Sequence, residues 1–316
     1  MPKHLILVKP RGFCAGVERA IEIVEIALKI YPPPVYVFHE IVHNTHVVKD
    51  LGNRGAIFVN EVSDAPDNSV LVFSAHGVSP AIRDQARRKN LKLIDATCPL
   101  VTKVHMEAIL FAKQGCTILL VGHDGHDEVV GTMGEAPDRI ILVDTPEDVE
   151  KLQVENPDKV AVITQTTLSL DDTKDTIEAI KKKFPKVIFP PKEDICYATT
   201  NRQIAVKEIA KKADLILVIG SENSSNSKRL QEVSKDKGVQ AYLIDDVTKI
   251  QPEWFEGVET VAITAGASAP EHVVQEVLKY FKNLGVSEVK EEEVISEAVK
   301  FGLPAELTKE LSQAVR

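Results

Sequence analysis

The stretch LKLIDATCPLVTKVHMEAI, residues 91–109, contains the pattern on which the fold depends. A short apolar run at 91–94 leads into a polar turn with Cys98, and a segment of helical character follows from residue 99. Continuous apolar runs of this length are typical of strands that are buried on both faces of a parallel sheet. The stretch therefore predicts a cysteine in the loop between the end of a strand and the start of a helix.

The same pattern occurs twice more along the chain. LILVKPRGFCAGVERAIEIV (5–24) surrounds Cys14, and VIFPPKEDICYATTNRQIAVKEI (187–209) surrounds Cys196. The three cysteines are 84 and 98 residues apart. This recurrence predicts three related units, although their sequences are otherwise only weakly similar.

Polar residues recur at similar distances after each cysteine. The first set lies 28 or 29 residues downstream and consists of His43, His126 and Ser224. The second lies 62, 68 and 72 residues downstream and consists of His76, Thr166 and Ser268. Ligands in open parallel sheets bind beyond the carboxyl ends of strands. Each unit is therefore expected to present one cysteine and two polar loops to a common site.

Short runs rich in Val, Ile and Leu alternate with helical segments over most of the chain, which predicts an α/β protein with parallel sheets. Predicted strands include 35–38, 70–73, 117–122, 187–189 and 215–220. Predicted helices include 15–30, 99–114, 170–183, 201–212 and 271–283. The predicted domains are 9–96, 97–193, and 194–282 together with 1–8, followed by an acidic C-terminal tail at 283–316.

Composition limits the classes of partner. The net charge of −9, from 38 basic and 47 acidic side chains, disfavours nucleic acid but permits a small anion bound by local groups. The apolar runs are too short to span a membrane, and the N-terminus lacks the features of a signal peptide, so we expect a cytoplasmic protein. No dinucleotide fingerprint or P-loop is found, so electrons would come from a separate protein.

The three recurring cysteines are candidate metal ligands. A helix N-terminus stabilises a thiolate, and thiolates bind iron–sulfur clusters. Three ligands would leave one iron of a four-iron cluster open to a substrate oxygen. Taken singly, a cysteine at such a junction is commonly a small buried residue, no C-x-x-C pair is present, and zinc with Cys and His ligands stays open. Cys116 lies outside the pattern and is predicted to be a core residue.

The polar loops suggest an anion site and a proton donor. SENSSNS (221–227) precedes a helix predicted to begin near Lys228, and its hydroxyl and amide groups suit an anion, although helix capping is the alternative. The histidines at 43, 76 and 126 can pair with phosphate or serve as ordinary loop residues. Glu128 is a proton donor if burial raises its pKa, and otherwise a solvated carboxylate.

These motifs closely resemble those of the 4-hydroxy-3-methylbut-2-enyl diphosphate reductase family. The resemblance covers nearly the whole chain up to about residue 282. It is carried by PRGFCAGVERAI (10–21), HEIVHN (39–44), FSAHGVS (73–79), DATCPLVTKVH (95–105), GHDGH (122–126), TQTTLS (164–169), DICYATTNRQ (194–203), SENSSNS (221–227) and TAGASAP (264–270).

The resemblance implies a trefoil of three pseudo-equivalent α/β domains around a central [4Fe–4S] cluster, with Cys14, Cys98 and Cys196 as its ligands. It also implies that an allylic diphosphate is bound by His43, His76, His126, Thr166, Ser224, Ser225, Asn226 and Ser268. Glu128, Thr166 and His126 would then serve catalysis, with Glu128 relaying a proton. The implied reaction yields isopentenyl and dimethylallyl diphosphate, with reduced ferredoxin or flavodoxin as electron donor.

Two other functions are compatible with the residues taken alone. One is a zinc-dependent hydrolase with Cys and His ligands, which would contain no acid-labile sulfide. The other is a non-enzymatic α/β protein that captures a small anion in a cleft, which would be colourless and take up no electrons.

Overall fold

The computed structural model describes residues 2–286 and 288–314 of an α/β protein whose sheets consist of parallel strands. Met1, Ser287 and the last two residues of the predicted tail, Val315 and Arg316, lie outside the described residues. The strands are β1 (His4–Lys9), β2 (Val35–Phe38), β3 (Ala56–Val59), β4 (Val70–Phe73), β5 (Lys92–Asp95), β6 (Thr117–Val121), β7 (Ile140–Val143), β8 (Val160–Thr164), β9 (Leu215–Ile219), β10 (Gln240–Ile244), β11 (Thr260–Ala265) and β12 (Glu288–Glu293).

Helices follow most of the strands, as the alternating sequence pattern predicts. They are α1 (Ala15–Ile30), α2 (Thr45–Asn53), α3 (Pro80–Arg88), α4 (Pro99–Lys113), α5 (Asp127–Met133), α6 (Pro146–Lys151), α7 (Leu170–Lys183), α8 (Tyr197–Ile209), α9 (Ser225–Asp236), α10 (Glu271–Asn283) and α11 (Ala305–Ala314). Within the described residues, each helix is too short or too polar to cross a lipid bilayer.

Contacts within the chain divide it into two compact units. Unit 1 comprises Met1–Val17, His43–Val47 and Tyr197–Lys300. Unit 2 comprises Glu18–Val42, Val48–Cys196 and Phe301–Arg316. Unit 1 contains one sheet and unit 2 contains two, so the predicted division into three domains stays a prediction.

The sheet of unit 1 has the strand order β10-β9-β11-β1-β12. Strand β1 of this sheet is apolar on both faces because helices cover both. Leu5 and Leu7 of β1 belong to the same core cluster as Val273 and Val277 of α10. Ile6 and Val8, which point to the other face, belong to a cluster that includes residues of α8 and α9. This arrangement explains the continuous apolar run at the start of the chain.

Unit 2 contains a four-stranded sheet of order β3-β2-β4-β5 and a three-stranded sheet of order β7-β6-β8. The three-stranded sheet is likewise covered on both faces. Ile118 and Leu120 cluster with Val104 and Phe111 of α4. The alternate residues of β6 cluster on the other face with Ile180 of α7. Helix α4 is therefore packed on this sheet through the face opposite its exposed side.

Two segments of the structure differ from the sequence predictions: the run at 187–189 and the acidic tail. The run 187–189 forms only an isolated bridge between Ala161 and Ile188, since Pro190 and Pro191, which lack N–H donors, follow it. The acidic tail contributes strand β12, which pairs with β1 along its whole length. Lys9 and Arg11 form ion pairs with Glu291 of this edge strand at 3.1 and 2.8 Å.

Phe281→Ala is expected to lower the free energy of unfolding by about 3–5 kcal/mol, because it opens a cavity in the core of unit 1. Phe281 is fully buried and packs edge-on against Phe255, with 5.3 Å between ring centroids. Leu284→Ala at the end of the same helix is the control, since Leu284 is 40% exposed, and it should cost less than about 1 kcal/mol. Urea denaturation measures both values, and equal losses would contradict this account of the core.

Candidate active site

Each of the three predicted ligand cysteines lies immediately before a helix. Cys14 precedes α1, Cys98 occupies the N-cap position of α4, and Cys196 precedes α8. All three are free thiols of intermediate burial. The predicted strand–cysteine–helix order therefore holds at Cys14 and Cys98, whereas the segment before Cys196 is the isolated bridge rather than a strand. Cys116 is 2% exposed and packs in the core of unit 2, as predicted.

The backbone of each cysteine makes the same kind of hydrogen bond. The N–H of Cys14 donates to the carbonyl of Ala267 at 3.2 Å, within unit 1. In unit 2, the N–H groups of Cys98 and Cys196 donate to the carbonyls of Ala75 and Thr166, both at 3.0 Å. These acceptors lie in the later polar loops that sequence spacing associates with Ser268, His76 and Thr166. Each cysteine is thus attached by its backbone to a loop that carries candidate substrate-binding residues.

Unit 1 brings several candidate anion-binding groups together. Ser224 is the N-cap residue of α9, and its Oγ accepts the N–H of Ser227 at 3.3 Å. The hydroxyl of Ser268 donates to the carbonyl of His43 at 3.0 Å and lies 3.5 Å from the hydroxyl of Ser224. The backbone of the half-buried His43 is therefore hydrogen-bonded to Ser268, which lies beside Ser224.

Asn226 is the most informative residue of this cluster. Helix α9 begins at Ser225 rather than near Lys228, so Ser225 and Asn226 occupy its first turn, where backbone N–H groups have no acceptor within the helix and the helix dipole favours an anion. Asn226 is only 5% exposed, yet neither its Oδ1 nor its Nδ2 has a hydrogen-bond partner among the described residues. A buried amide without a partner is costly, so a polar ligand is the expected partner.

Two glycines allow the helix to approach the sheet here. A Cβ atom at Gly220 or Gly266 would lie 2.2 or 2.0 Å from the Oγ of Ser227. Any larger residue would push α9 away from the ends of β9 and β11. The closeness of Asn226 to these strand ends therefore depends on both glycines.

Unit 2 places two candidate histidines against each other. The rings of His76 and His126 are 6.0 Å apart and nearly perpendicular. The Nδ1 atom of His126 accepts the N–H of Glu128 at 3.2 Å, so in the neutral ring Nε2 carries the proton. The Nδ1 of His76 faces the hydroxyl of Ser74 at 3.3 Å.

Asp127 and His39 are additional polar residues that the sequence analysis did not single out. Asp127 Oδ1 contacts His39 Nδ1 at 2.8 Å, and its other oxygen lies 3.9 Å from Nδ1 of His76. The hydrogen bond that His39 donates to Asp127 raises the pKa of His39 above its usual value. His39 adopts a positive φ of 57°, a conformation seldom taken by residues other than glycine. The sequence signal for His39 is its position four residues before the predicted site histidine His43.

Glu128 has the properties expected of a proton donor. It is 2% exposed, and burial raises its pKa to about 7. Two hydrogen bonds from Thr166 oppose this shift: its N–H donates to Oε1 at 2.7 Å and its hydroxyl donates to Oε2 at 2.9 Å. The carboxyl can therefore exchange a proton near neutral pH.

The donor groups in both units fit the ligands that the sequence predicts. Thiols at helix starts suit thiolate ligation of iron, and none of the four cysteines is in a disulfide. Unit 1 holds Cys14, His43, Ser224, Ser225, Asn226 and Ser268; unit 2 holds Cys98, Cys196, His76, His126, Glu128 and Thr166.

Comparison with known proteins agrees with this reading. The family model described as LytB protein matches residues 5–282. A curated relative from Acidothermus cellulolyticus, named 4-hydroxy-3-methylbut-2-enyl diphosphate reductase, is 55% identical over 98% of this chain and 92% of its own length. A relative of the same name from Psychromonas ingrahamii is 54% identical over 96% of this chain and 98% of its own length.

The structure is also similar to solved enzymes. The E-1-hydroxy-2-methyl-but-2-enyl-4-diphosphate reductase of Plasmodium falciparum superposes with a TM-score of 0.97 at 41% identity, with both chains fully covered. A second solved structure, described as the terminal enzyme of the non-mevalonate pathway, gives a TM-score of 0.64 at 34% identity over 89% of this chain and 99% of its own. Because the family model spans most of the sequence and these relatives match nearly all of it, the chain belongs to the LytB family of 4-hydroxy-3-methylbut-2-enyl diphosphate reductases.

Proposed function

We propose that this protein reduces (E)-4-hydroxy-3-methylbut-2-enyl diphosphate to isopentenyl and dimethylallyl diphosphate, as an oxidoreductase of the non-mevalonate isoprenoid pathway. Two electrons and two protons are consumed: the carbon–oxygen bond breaks, the hydroxyl leaves as water, and the second proton is added to carbon. The observation that carries the proposal is the set of three free cysteines, each directly before a helix and each attached to a polar loop by its backbone N–H.

Cys14, Cys98 and Cys196 would hold a [4Fe–4S] cluster through their thiolates. Bound in this way, the cluster supplies single electrons and an iron without a protein ligand that can act as a Lewis acid toward the substrate oxygen. The cysteines occupy helix N-termini, where partial positive charge favours the thiolate form.

The diphosphate would be bound by His43, His76, His126, Ser224, Ser225, Asn226 and Ser268. The amide of Asn226, which has no partner among the residues that the structure describes, and the first turn of α9 would supply donors in unit 1. The histidines of unit 2 would supply ring N–H donors, and the hydrogen bond to Asp127 raises the pKa of the neighbouring His39. These groups provide local positive potential in a chain whose net charge is −9.

Proton transfer to the substrate would depend on three residues: Glu128, Thr166 and His126. Glu128 holds a proton at a carboxyl oxygen near neutral pH, and Thr166 fixes both oxygens of that carboxyl. The hydroxyl of Thr166 can turn to the substrate hydroxyl and thus orient it. His126 fixes the start of α5 through its Nδ1 and so holds Glu128 in place.

Electrons would come from reduced ferredoxin or flavodoxin, because the chain has no motif for a nicotinamide or flavin cofactor. A cytoplasmic location agrees with four free cysteines, since a reducing compartment keeps thiols reduced.

Anaerobic purification with iron and sulfide analysis tests the proposal. A brown protein with about four irons and four sulfides per chain, bleached by dithionite and reoxidised by the allylic diphosphate, is the expected result. Mass analysis should then detect both five-carbon products. A colourless protein that binds zinc and contains no sulfide after reconstitution would overturn the proposed reaction.

Substituting any one of the three proposed ligands by serine is expected to prevent assembly of a stable four-iron cluster, because an alcohol is a poor ligand for iron in place of a thiolate. The matched control is Cys116→Ser, since Cys116 is buried in the core of unit 2 away from the helix starts. Iron, sulfide and the visible spectrum after anaerobic reconstitution give the result. A full cluster in Cys98→Ser would remove Cys98 from the ligand set.

Glu128→Gln is expected to lower kcat by about 100- to 10,000-fold with little change in substrate Kd, because the amide cannot donate the proton. In the wild type the acid form should disappear as the pH rises through about 7, so kcat should fall above that pH. The variant should lack this dependence. Glu147→Gln, at an exposed position, is the control. Near-normal turnover by Glu128→Gln would exclude Glu128 as the donor.

Asn226→Ala is expected to raise the Kd for the substrate diphosphate by about 5- to 150-fold, equivalent to about 1–3 kcal/mol for lost charge-assisted hydrogen bonds. Its buried amide has no partner within the described part of the chain, so its removal should not destabilise the free protein. Asn156→Ala, in a turn of unit 2, serves as the control. Calorimetric titration measures Kd, and an unchanged value would remove Asn226 from the diphosphate site.

A further inference from the structure

Lys103 connects the two segments of unit 2 that carry cysteines. It is the fifth residue of α4, the helix whose N-cap is Cys98. Its Nζ donates to the carbonyls of Lys192 and Glu193 at 2.9 and 3.4 Å, and to Oδ1 of Asp194 at 2.5 Å. One ammonium group therefore holds three successive residues of the loop that ends at Cys196.

The same loop is attached to the three-stranded sheet through Asp194. The side chain of Asp194 is 1% exposed, and its second oxygen accepts the N–H of Thr164, the last residue of β8, at 2.9 Å. Two residues later, the N–H of Cys196 donates to the carbonyl of Thr166. The loop is thus fixed at two points to the strand end and at one point, Lys103, to the helix of Cys98.

Lys103 is the counter-charge that this buried carboxylate requires. An ionised carboxylate out of water is stable only when it is paired and hydrogen-bonded. Burial lowers the pKa of Lys103, but hydrogen bonding and charge attraction from Asp194, with a smaller contribution from Glu107, raise it overall. Glu107 also lies 3.1 Å from the ammonium, one turn further along α4. Without the lysine, Oδ1 of Asp194 and the two carbonyls would lose this donor, and the buried carboxylate would lose its counter-charge, so the loop would have to move to rehydrate them.

We propose that Lys103 is a positioning residue for the iron–sulfur cluster. By joining the loop at 192–196 to α4, it fixes where the thiol of Cys196 lies relative to that of Cys98. The inference rests on the proposed function, in which both thiolates ligate one cluster. The effect of Lys103 is therefore expected on how firmly the chain retains iron.

Unit 2 offers a matched control in Lys183. Its Nζ donates to the carbonyls of Val149, Glu150 and Leu152 at 2.8, 2.7 and 2.8 Å, at the end of α6. Lys183→Met therefore removes a similar number of hydrogen bonds to backbone carbonyls. None of its partners belongs to a loop that leads to a cysteine.

The experiment compares wild type, Lys103→Met, Lys103→Arg and Lys183→Met after anaerobic reconstitution. The readouts are iron and sulfide content, iron loss to a chelator, the EPR spectrum of the reduced protein and thermal unfolding without cluster. Lys103→Met should retain iron about 10- to 100-fold less well, as is usual when a group that orients a metal ligand is removed, and its EPR signal should change. Lys103→Arg should restore most of the retention, while Lys183→Met should affect only thermal stability.

The outcomes separate this inference from the proposed function. A wild-type protein that takes up no cluster would overturn both. A wild-type protein with a cluster, and Lys103→Met with the same iron retention and EPR spectrum, would overturn the role of Lys103 alone. Equal loss of iron in Lys183→Met would show general destabilisation and would also overturn it. Should Lys103→Met fail to fold, Lys103→Gln and Lys183→Gln provide the same comparison.

Discussion

The site depends on the need to pair the backbone N–H of each cysteine at the point where the chain enters a helix. These amides are only partly exposed, and an unpaired buried N–H is rare because it costs about as much as a lost hydrogen bond. Each N–H finds a carbonyl in a loop that follows another strand: Ala267, Ala75 or Thr166. The position of each cysteine therefore depends on a loop that follows a strand distant in sequence. The hydrogen bond between the cysteine N–H and the loop carbonyl also fixes the backbone of that loop, which carries the polar residues.

The polar side chains around these loops differ in how many of their hydrogen bonds are made within the protein. This difference indicates their roles. Ser224 and Ser268 are already hydrogen-bonded to Ser227 and to the carbonyl of His43, so their hydroxyls are held in place. The buried amide of Asn226 lacks such a partner among the described residues. Groups that are already held in place but lack hydrogen-bond partners can bind a ligand with little further loss of conformational entropy. An anion with several oxygen acceptors suits this arrangement better than a single small ion does.

The sequence predicts the sheets well because buried parallel strands leave a strong local signal, and it predicts the site through the recurrence of cysteines. Prediction from sequence fails where a contact between residues that are distant in the chain determines the local structure. The acidic run EVKEEE forms strand β12, and Glu291 of this strand pairs with Lys9 and Arg11, which are about 280 residues away in the chain. Helix α9 begins three residues before Lys228 because Ser224 caps it. Asp127 was overlooked because its partner His39 is 88 residues away in the chain.

Two adjacent carboxyl groups at the start of α5 show how different surroundings can give neighbouring side chains different chemical roles. Asp127 accepts a hydrogen bond from the imidazole of His39, and this bond raises the pKa of His39. Glu128, the next residue, points into a buried space where its hydrogen-bond donors are the amide and hydroxyl of Thr166, and burial raises its pKa to about 7. Such a separation between neighbouring carboxyls is how proteins assign one to electrostatic support and the other to proton transfer. Because a helix turns by about 100° per residue, adjacent positions reach different surroundings, and a single short helix can supply both functions.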